Sequence, residues 1–131
     1  MEIHNADAAD LSEIAGILDA AYLQIDIDSL RDRISVGTVL VAEATRNSAA
    51  DAEHTGAVLG VLVLDGETIT AIAVRPGRRG QGIGSALVGE AKTRQERLIA
   101  EFDPTVRPFW KSVGFVVSEQ SGSERLRGIS R

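Results

Sequence analysis

The sequence contains no cysteine and few aromatic residues. Without cysteine among the 131 residues, the chain can form no disulfide, no thiolate nucleophile and no cysteine metal ligand. The two histidines, His4 and His54, lie far apart and give no metal-ligand spacing. The aromatic residues are three phenylalanines, one tyrosine and one tryptophan. We therefore expect neither thiol chemistry nor a bound metal.

Long apolar runs and excess positive charge are also missing. No stretch approaches the roughly 18 to 20 residues of a membrane span. The N-terminus carries Glu2 and Asp7 and lacks the basic start and apolar stretch of a signal peptide. The net charge of −5 argues against a nucleic-acid partner, because such proteins carry a basic face. With 44% apolar residues, we expect one globular domain over residues 1–131, cytoplasmic and without a membrane partner.

One segment, residues 72–88, combines a strand, a turn, arginines, glycines and a helix start. An apolar strand ends at Val74, and a helix opens at Gly82. Glycines let a ligand approach the backbone closely, and a helix N-terminus favours negative charge. Arg78 and Arg79 add positive charge beside it. The segment therefore predicts an anion site, most simply for a phosphate or pyrophosphate.

Three kinds of phosphate-binding loop can be compared with this segment. A P-loop needs Lys-Ser or Lys-Thr after its last glycine, whereas Gly84 is followed by Ser85 and Ala86. The dinucleotide fingerprint GxGxxG lacks its third glycine, because Ser85 stands there, and the loop follows a hairpin in mid-chain. The third pattern, Arg/Gln-x-x-Gly-x-Gly/Ala, is matched by Arg79, Gly82 and Gly84. Of the three, this pattern matches best.

The third pattern resembles the acetyl-CoA pyrophosphate loop of the GCN5-related N-acetyltransferases, the GNAT family. The preceding strand, with Ile72, Val74 and Pro76, is similar to the family's Leu/Ile-x-Val-x-Pro. Residues 109–115, F-W-K-S-V-G-F, resemble its Phe-Tyr-Glu-Lys-Leu-Gly-Phe segment, and residues 3–14 also fit. The similarity spans nearly the whole chain. It implies an α+β fold with a mixed, mostly antiparallel sheet flanked by helices.

Hydrophobic periodicity and turn residues predict the order β-α-α-β-β-β-α-β-α-β-β. Strands are predicted at residues 1–4, 38–44, 56–64, 67–74, 98–102, 115–119 and 124–128. Helices are predicted from Asp7 or Asp10, with Glu13 in capping-box position, from Asp28 or Ser29 to Gly37, and over 83–94 and 105–113. The Asp65-Gly66 turn makes its flanking strands antiparallel, whereas strand 98–102 follows a helix and should lie parallel to 67–74. Residues 45–55 predict a surface loop.

The resemblance implies acetyl-CoA as co-substrate and a primary amine as acceptor, attacking directly in a ternary complex. Pantetheine would pair with the strand at 72–74, and the thioester would enter a gap between the fourth and fifth strands. The implied cofactor-binding residues are Ile72, Ala73, Val74, Arg79, Gly80, Gln81, Gly82, Ile83, Gly84, Ser85, Phe109 and Trp110. The alternative is a non-catalytic acyl-CoA-binding or partner-interaction module on the same fold. The acceptor's identity stays open, as does a homodimer.

The sequence leaves the proton-transfer residues open. Many relatives use a tyrosine on the last helix as the acid for the CoA thiolate. Trp110 stands at that position, and an indole cannot supply a proton usefully. Tyr22 is a candidate acid at the end of the first helix, and Glu67, Glu101 and Asp103 are candidate bases. Each also has a plainer interpretation, as a rim tyrosine or as a solvated carboxylate.

Overall fold

Over residues 1–21, 26–44 and 57–131, which a computed structural model describes, the chain forms seven strands and four α-helices. The strands are β1 (Glu2–Asn5), β2 (Val39–Glu43), β3 (Val58–Asp65), β4 (Thr68–Val74), β5 (Leu98–Phe102), β6 (Val116–Glu119) and β7 (Leu126–Ser130). The helices are α1 (Leu11–Ala20), α2 (Ile27–Ser35), α3 (Ile83–Arg94) and α4 (Arg107–Ser112). The predicted loop at 45–55 lies outside the described residues.

The strands form one mixed sheet in the order β1-β2-β3-β4-β5-β7-β6. Neighbouring strands are antiparallel except β4 and β5, which run parallel because α3 connects them. The tight turn between β3 and β4 places Gly66 at a φ of 60°, which a glycine adopts without strain. The predicted fold class and the predicted strand directions on both sides of β4 are confirmed.

Helices cover both faces of the sheet and enclose two apolar clusters. On one face, α3 and α4 pack on the leucines of β2 and β3 and on Leu98, Ala100 and Phe102 of β5. On the other face, α1 and α2 pack on the valines of β2 and β3 and on Ala73 of β4. Buried from both sides, β3 is apolar nearly throughout rather than alternating. The centre of the sheet is therefore rigid, and it supports the strands on either side of β3.

The start of the first helix matches one of the two predicted caps but not the predicted capping box with Glu13. Asp7 accepts the capping hydrogen bond, from the N–H of Ala9 at 2.8 Å. Asp10 returns the bond by accepting the N–H of Asp7 at 3.0 Å, so the capping box surrounds a short 3-10 turn before α1. Glu13 is therefore free of the cap, and it accepts the N–H of Val58 at 3.0 Å instead.

Three other boundaries shift for local reasons. Helix α2 begins earlier than predicted because Asp26 caps it, accepting the N–H of Ser29 at 3.1 Å. The helix predicted over 105–113 divides into a 3-10 turn at Pro104–Val106 and the α4 helix. Strand β7 lies two residues later than the predicted 124–128. Its inward positions include Gly128 and Ser130, so an apolar pattern did not mark its end.

Candidate functional site

A gap opens between β4 and β5 soon after they begin. The two strands pair only at Thr68 with Ile99 and at Ile69 with Ala100. The next residue of β4, Thr70, is extra, because Val63 of β3 pairs with Ala71 while Leu64 pairs with Ile69. A bulge of this kind bends a strand and ends its pairing. The free edge of β4 therefore begins at the bulge.

The free edge presents unpaired backbone groups. The N–H of Arg75 donates to the carbonyl of Leu59 in β3 at 2.7 Å, so the backbone of Arg75 faces β3. Because backbone groups alternate along a strand, those of Ile72 and Val74 face the opposite side, where β5 has already separated. An extended ligand could bond to this edge as an added strand does.

The N-terminus of α3 lies at the end of this edge. Its first helical hydrogen bond runs from the N–H of Ala86 to the carbonyl of Gly82, at 3.0 Å. The N–H groups of the three residues between them are left pointing out of the helix end. Gly80 and Gly82 have φ values of 81° and 80°, a left-handed conformation that glycine allows. The loop thus presents bare N–H groups, as an anion site requires.

A cleft of about 890 Å³ joins the gap to the α3 terminus. It brings together eleven of the twelve predicted cofactor residues, and Gln81 is the one outside its lining. Arg78 and Arg79 also line it, and neither guanidinium has a hydrogen-bond or ion-pair partner within the described part of the chain. The positive charge is therefore free to meet a ligand at this end.

Two adjacent aromatic residues of α4 line the cleft, and their rings meet edge-on with centroids 5.2 Å apart. A Cβ at Gly84 of α3 would lie 3.1 Å from the Phe109 ring, so this glycine lets the ring approach the helix. Trp110 stacks on Phe102 of β5, with ring centroids 5.2 Å apart, and meets Phe115 edge-on at 4.9 Å. Trp110 is buried, with 3% of its surface exposed, yet it borders the cleft.

Glu101 lines the cleft from the other face of the sheet. Its neighbours Ala100 and Phe102 point toward α3 and α4, so alternation points Glu101 toward the α1 and α2 side. Arg127 of β7 donates to its carboxylate at 3.3 Å, with both side chains 46% exposed. The pairing is solvated and loose, which leaves the carboxylate within reach of a ligand.

The other predicted catalytic residues are placed differently. Glu67 lies outside the cleft lining, and Arg97 holds its carboxylate at 2.5 and 3.1 Å. The hydrogen bond from Arg97 lowers the pKa of Glu67, which opposes a role as base. Asp103 borders the cleft, but the Thr105 N–H lowers the pKa of this carboxyl. Tyr22 lies outside the described residues.

Two further residues line the cleft. Thr70, which the sequence left open between lining the gap and merely favouring a strand, is the bulge residue and does line it. Sequence reasoning missed the second residue, Arg125. Arg125, before β7, donates to the backbone carbonyl of Glu101 at 2.6 Å and enters the cleft only because β7 pairs with β5. The polarity of the 121–125 stretch was the available signal, but it does not tell a turn from a site.

Comparison with known proteins gives a family match. Residues 35–117, more than half of the chain, match the model of the acetyltransferase (GNAT) domain. The sequence has no significant match among curated proteins. Within the described residues, no helix combines the length and the apolar character that crossing a bilayer needs.

Solved structures share the fold at low sequence identity. Ard1 from Thermoplasma volcanium superposes with a TM-score of 0.74 at 17% identity, covering 98% of this chain and 94% of its own. N-acetylglutamate synthase from Neisseria gonorrhoeae, complexed with coenzyme A and N-acetyl-glutamate, gives 0.77 at 17%, covering 99% and 34%. YncA from Salmonella typhimurium, with its cofactor acetyl-CoA, gives 0.68 at 20%, covering 98% and 91%.

Proposed function

Because the chain belongs to the GNAT family of acetyltransferases, we propose that it transfers acetyl from acetyl-CoA to a primary amine, by direct attack in a ternary complex. The observation that carries the proposal is the continuous cleft, which runs from the β4–β5 gap to the bare N–H groups at the start of α3. The two ends suit the thioester and the pyrophosphate of one extended cofactor. Both CoA complexes named above share this fold.

The cofactor is held in three sections. The pyrophosphate accepts hydrogen bonds from the N–H groups of residues 80–85, with Arg79 and Arg78 neutralising its charge. Pantetheine lies along the free edge of β4 and bonds to the backbone of Ile72 and Val74. Phe109 packs beside it, and the thioester enters the gap beyond the bulge. An unpaired N–H of this edge then stabilises the oxyanion.

The two faces of the sheet separate the incoming amine from the departing thiolate. Glu101 points toward α1 and α2, and Trp110 lies with α3 and α4 on the other face. An amine reaching the gap on the first face attacks the carbonyl carbon while sulfur departs on the second. Glu101, directly or through a water, takes the proton of the amine. With an ammonium pKa near 10.4, we expect the rate to rise with pH.

A charge placed at the helix start tests the cofactor site. Ser85 is exposed, lines the cleft and is the third residue of α3. Ser85→Glu puts a carboxylate where the pyrophosphate should bind, and negative charge in a first helical turn does not harm the helix. We expect acetyl-CoA affinity by calorimetry to fall by at least about a hundredfold. Gly84→Glu is less suitable, because its Cβ would press on Phe109.

The matched control is Ser29→Glu. Ser29 is also exposed and is the third residue of α2, but it lies away from the cleft. This variant carries the same charge change at the same helical position, so acetyl-CoA affinity should be unchanged. If Ser85→Glu and the wild type bound acetyl-CoA with equal affinity, the pyrophosphate would not bind at the N-terminus of α3.

A non-catalytic acyl-CoA-binding module is the competing function. It is favoured by Trp110, because an indole replaces the tyrosine that protonates the thiolate in many relatives. Release of free thiol from acetyl-CoA with a panel of polyamines, aminoglycosides and peptide amines separates the two. Amine-dependent release supports the transferase, whereas tight binding without turnover on any amine supports the module.

A further inference from the structure

Among the residues that the structure describes, no hydrogen bond involves the indole N–H of Trp110. Among those residues, the side-chain polar atom that is both fully buried and unpaired is Nε of Arg107. The unpaired indole nitrogen is therefore not fully buried. Trp110 is otherwise enclosed by Phe102, Phe109 and Phe115 and borders the cleft. The cleft is the open space that Trp110 borders, so the cleft is where this donor can meet a partner.

The Trp110 ring lies against β5 beside the gap, whereas the Phe109 ring lies against the start of α3. Phe109 contacts Gly84 of α3, while Trp110 stacks on Phe102 of β5. Phe102 lies two residues beyond Ala100, where β4 and β5 last pair, and on the same face of the sheet. The ring that carries the donor therefore lies on the face opposite Glu101, where the leaving group of the proposed reaction departs.

We propose that this N–H donates a hydrogen bond to the sulfur of CoA as the thiolate leaves. The inference rests on the proposed function. The amine nitrogen bonds to the carbonyl carbon, the carbon–sulfur bond breaks, and sulfur keeps the electron pair. The amine proton goes to Glu101 or water, and the indole keeps its own proton throughout. Trp110 is then a catalytic residue that stabilises charge, rather than the acid that stands at this position in many relatives.

A fixed donor suffices because thiolate is a modest base. A thiol has a reference pKa of about 8.5, so the leaving group needs charge stabilisation more than it needs a proton. Hydrogen bonds to charged groups are stronger than neutral ones, and more so where water is excluded. The aromatic enclosure holds the ring in place, so the donor does not reorganise during the reaction.

The single tryptophan makes a direct measurement possible. In ¹⁵N-labelled protein the indole N–H gives one signal, assigned to Trp110 without further work. Titrations with CoA and with desulfo-CoA, which lacks the sulfur, are followed at alkaline pH. We expect both ligands to shift the amide signals of residues 80–85, and CoA alone to move the indole proton downfield.

Two other outcomes of this titration separate the inference from the function. If both ligands shift the 80–85 amides but the indole signal responds to neither, or equally to both, the sulfur contact is wrong and the cofactor site stands. If neither ligand shifts those amides, the proposed cofactor site fails and the inference fails with it.

Removing only the N–H tests its contribution to catalysis. Biosynthetic replacement of tryptophan by β-(3-benzothienyl)alanine changes Trp110 alone and puts sulfur in place of the N–H with nearly the same shape. We expect unchanged acetyl-CoA affinity and a kcat lower by roughly 10- to 100-fold, the range of one charge-assisted hydrogen bond. Trp110→Phe should show the same loss of kcat with lower stability. An analogue protein with wild-type kcat would overturn the proposal.

Discussion

The two sides of β4 differ in completeness. Toward β3 the strand is paired from Thr68 to Val74 except at the bulge residue Thr70, and β3 itself is buried on both faces. Toward β5 it is paired only at its start, and the rest of the edge borders the cleft. One strand is thus part of the core on its β3 side and has a free hydrogen-bonding edge on its β5 side. The complete side holds the open edge rigid until a ligand bonds to it.

The charges of the molecule follow the same division. The core strands of the complete side contribute apolar side chains to both clusters. Around the open side, the cleft is lined by Arg78, Arg79, Glu101, Asp103 and Arg125. Charged groups tolerate this position because the cleft keeps them solvated. Loss of a cleft charge should therefore affect binding and turnover, whereas changes on the complete side should affect stability first.

The largest effect is expected from the carboxylate on the open side. Glu101→Gln removes the proposed base, so we expect kcat to fall by about 10² to 10⁴, the range for loss of a general base. Glu67→Gln is the control, because Glu67 precedes the paired start of β4 and lies outside the cleft. Steady-state rates with the best amine would measure both. If the two variants lose equal activity, Glu101 has no special role.

A smaller effect is expected at the positive end of the cleft. Arg79→Ala should weaken acetyl-CoA binding by roughly tenfold to a hundredfold at low salt, because one charge-assisted contact is lost. The loss should shrink at high ionic strength, where exposed charges are screened. Arg31→Ala, an exposed arginine of α2 paired with Asp28, makes the same charge change and should have no effect. Calorimetry at two salt concentrations decides between a cofactor contact and a surface arginine.

On the complete side, Gly60 of β3 marks the tightest packing against α3. An added Cβ would lie 3.0 Å from Ile83 and 3.1 Å from the carbonyl of Ala73, both rigid neighbours. Gly60→Ala should lower the free energy of unfolding by about 1–3 kcal/mol, the usual cost of overpacking. Gly89→Ala in α3 meets nothing within 4 Å and should raise it by about 0.5–1 kcal/mol. Denaturant unfolding measures the free energy of unfolding of both variants. If Gly60→Ala were as stable as Gly89→Ala, α3 would accommodate the added methyl group without cost.

The sequence predicted what local chemistry decides. The Asp65-Gly66 turn fixed the β3–β4 hairpin, and the glycines after Pro76 marked the loop and the start of α3. The sequence could not predict features that depend on strand register and on strands far apart in the chain. The bulge at Thr70 and the arrival of Arg125 beside Glu101 follow from pairing across the sheet. Glu67 and Glu101 were both candidate bases in the sequence, and the structure separates them through the Arg97 ion pair and the position of each carboxylate relative to the cleft.

The smallest effect concerns a titrating pair at the far edge of the complete side. His4 of β1 bonds through Nδ1 to the carbonyl of Asn5 at 2.8 Å and through Nε2 to the carboxylate of Glu43 in β2. The Asn5 carbonyl first, and Glu43 and Asp10 after it, raise the pKa of His4.

A raised folded pKa means that His4 contributes stability below its ordinary value of 6.5 and loses that contribution as pH rises through the folded value. His4→Gln should therefore be less stable than wild type at about pH 5.5 and nearly equal at about pH 8.5. The difference should stay below about 1 kcal/mol, because the pair is partly solvated and screened. His54 is present in both proteins and cancels in the comparison.

Thermal unfolding at the two pH values measures the effect, and Glu43→Gln should show the same trend. A stability difference that does not change with pH would mean that His4 acts through packing rather than charge, and that the complete side of the sheet has no titrating contact at this edge.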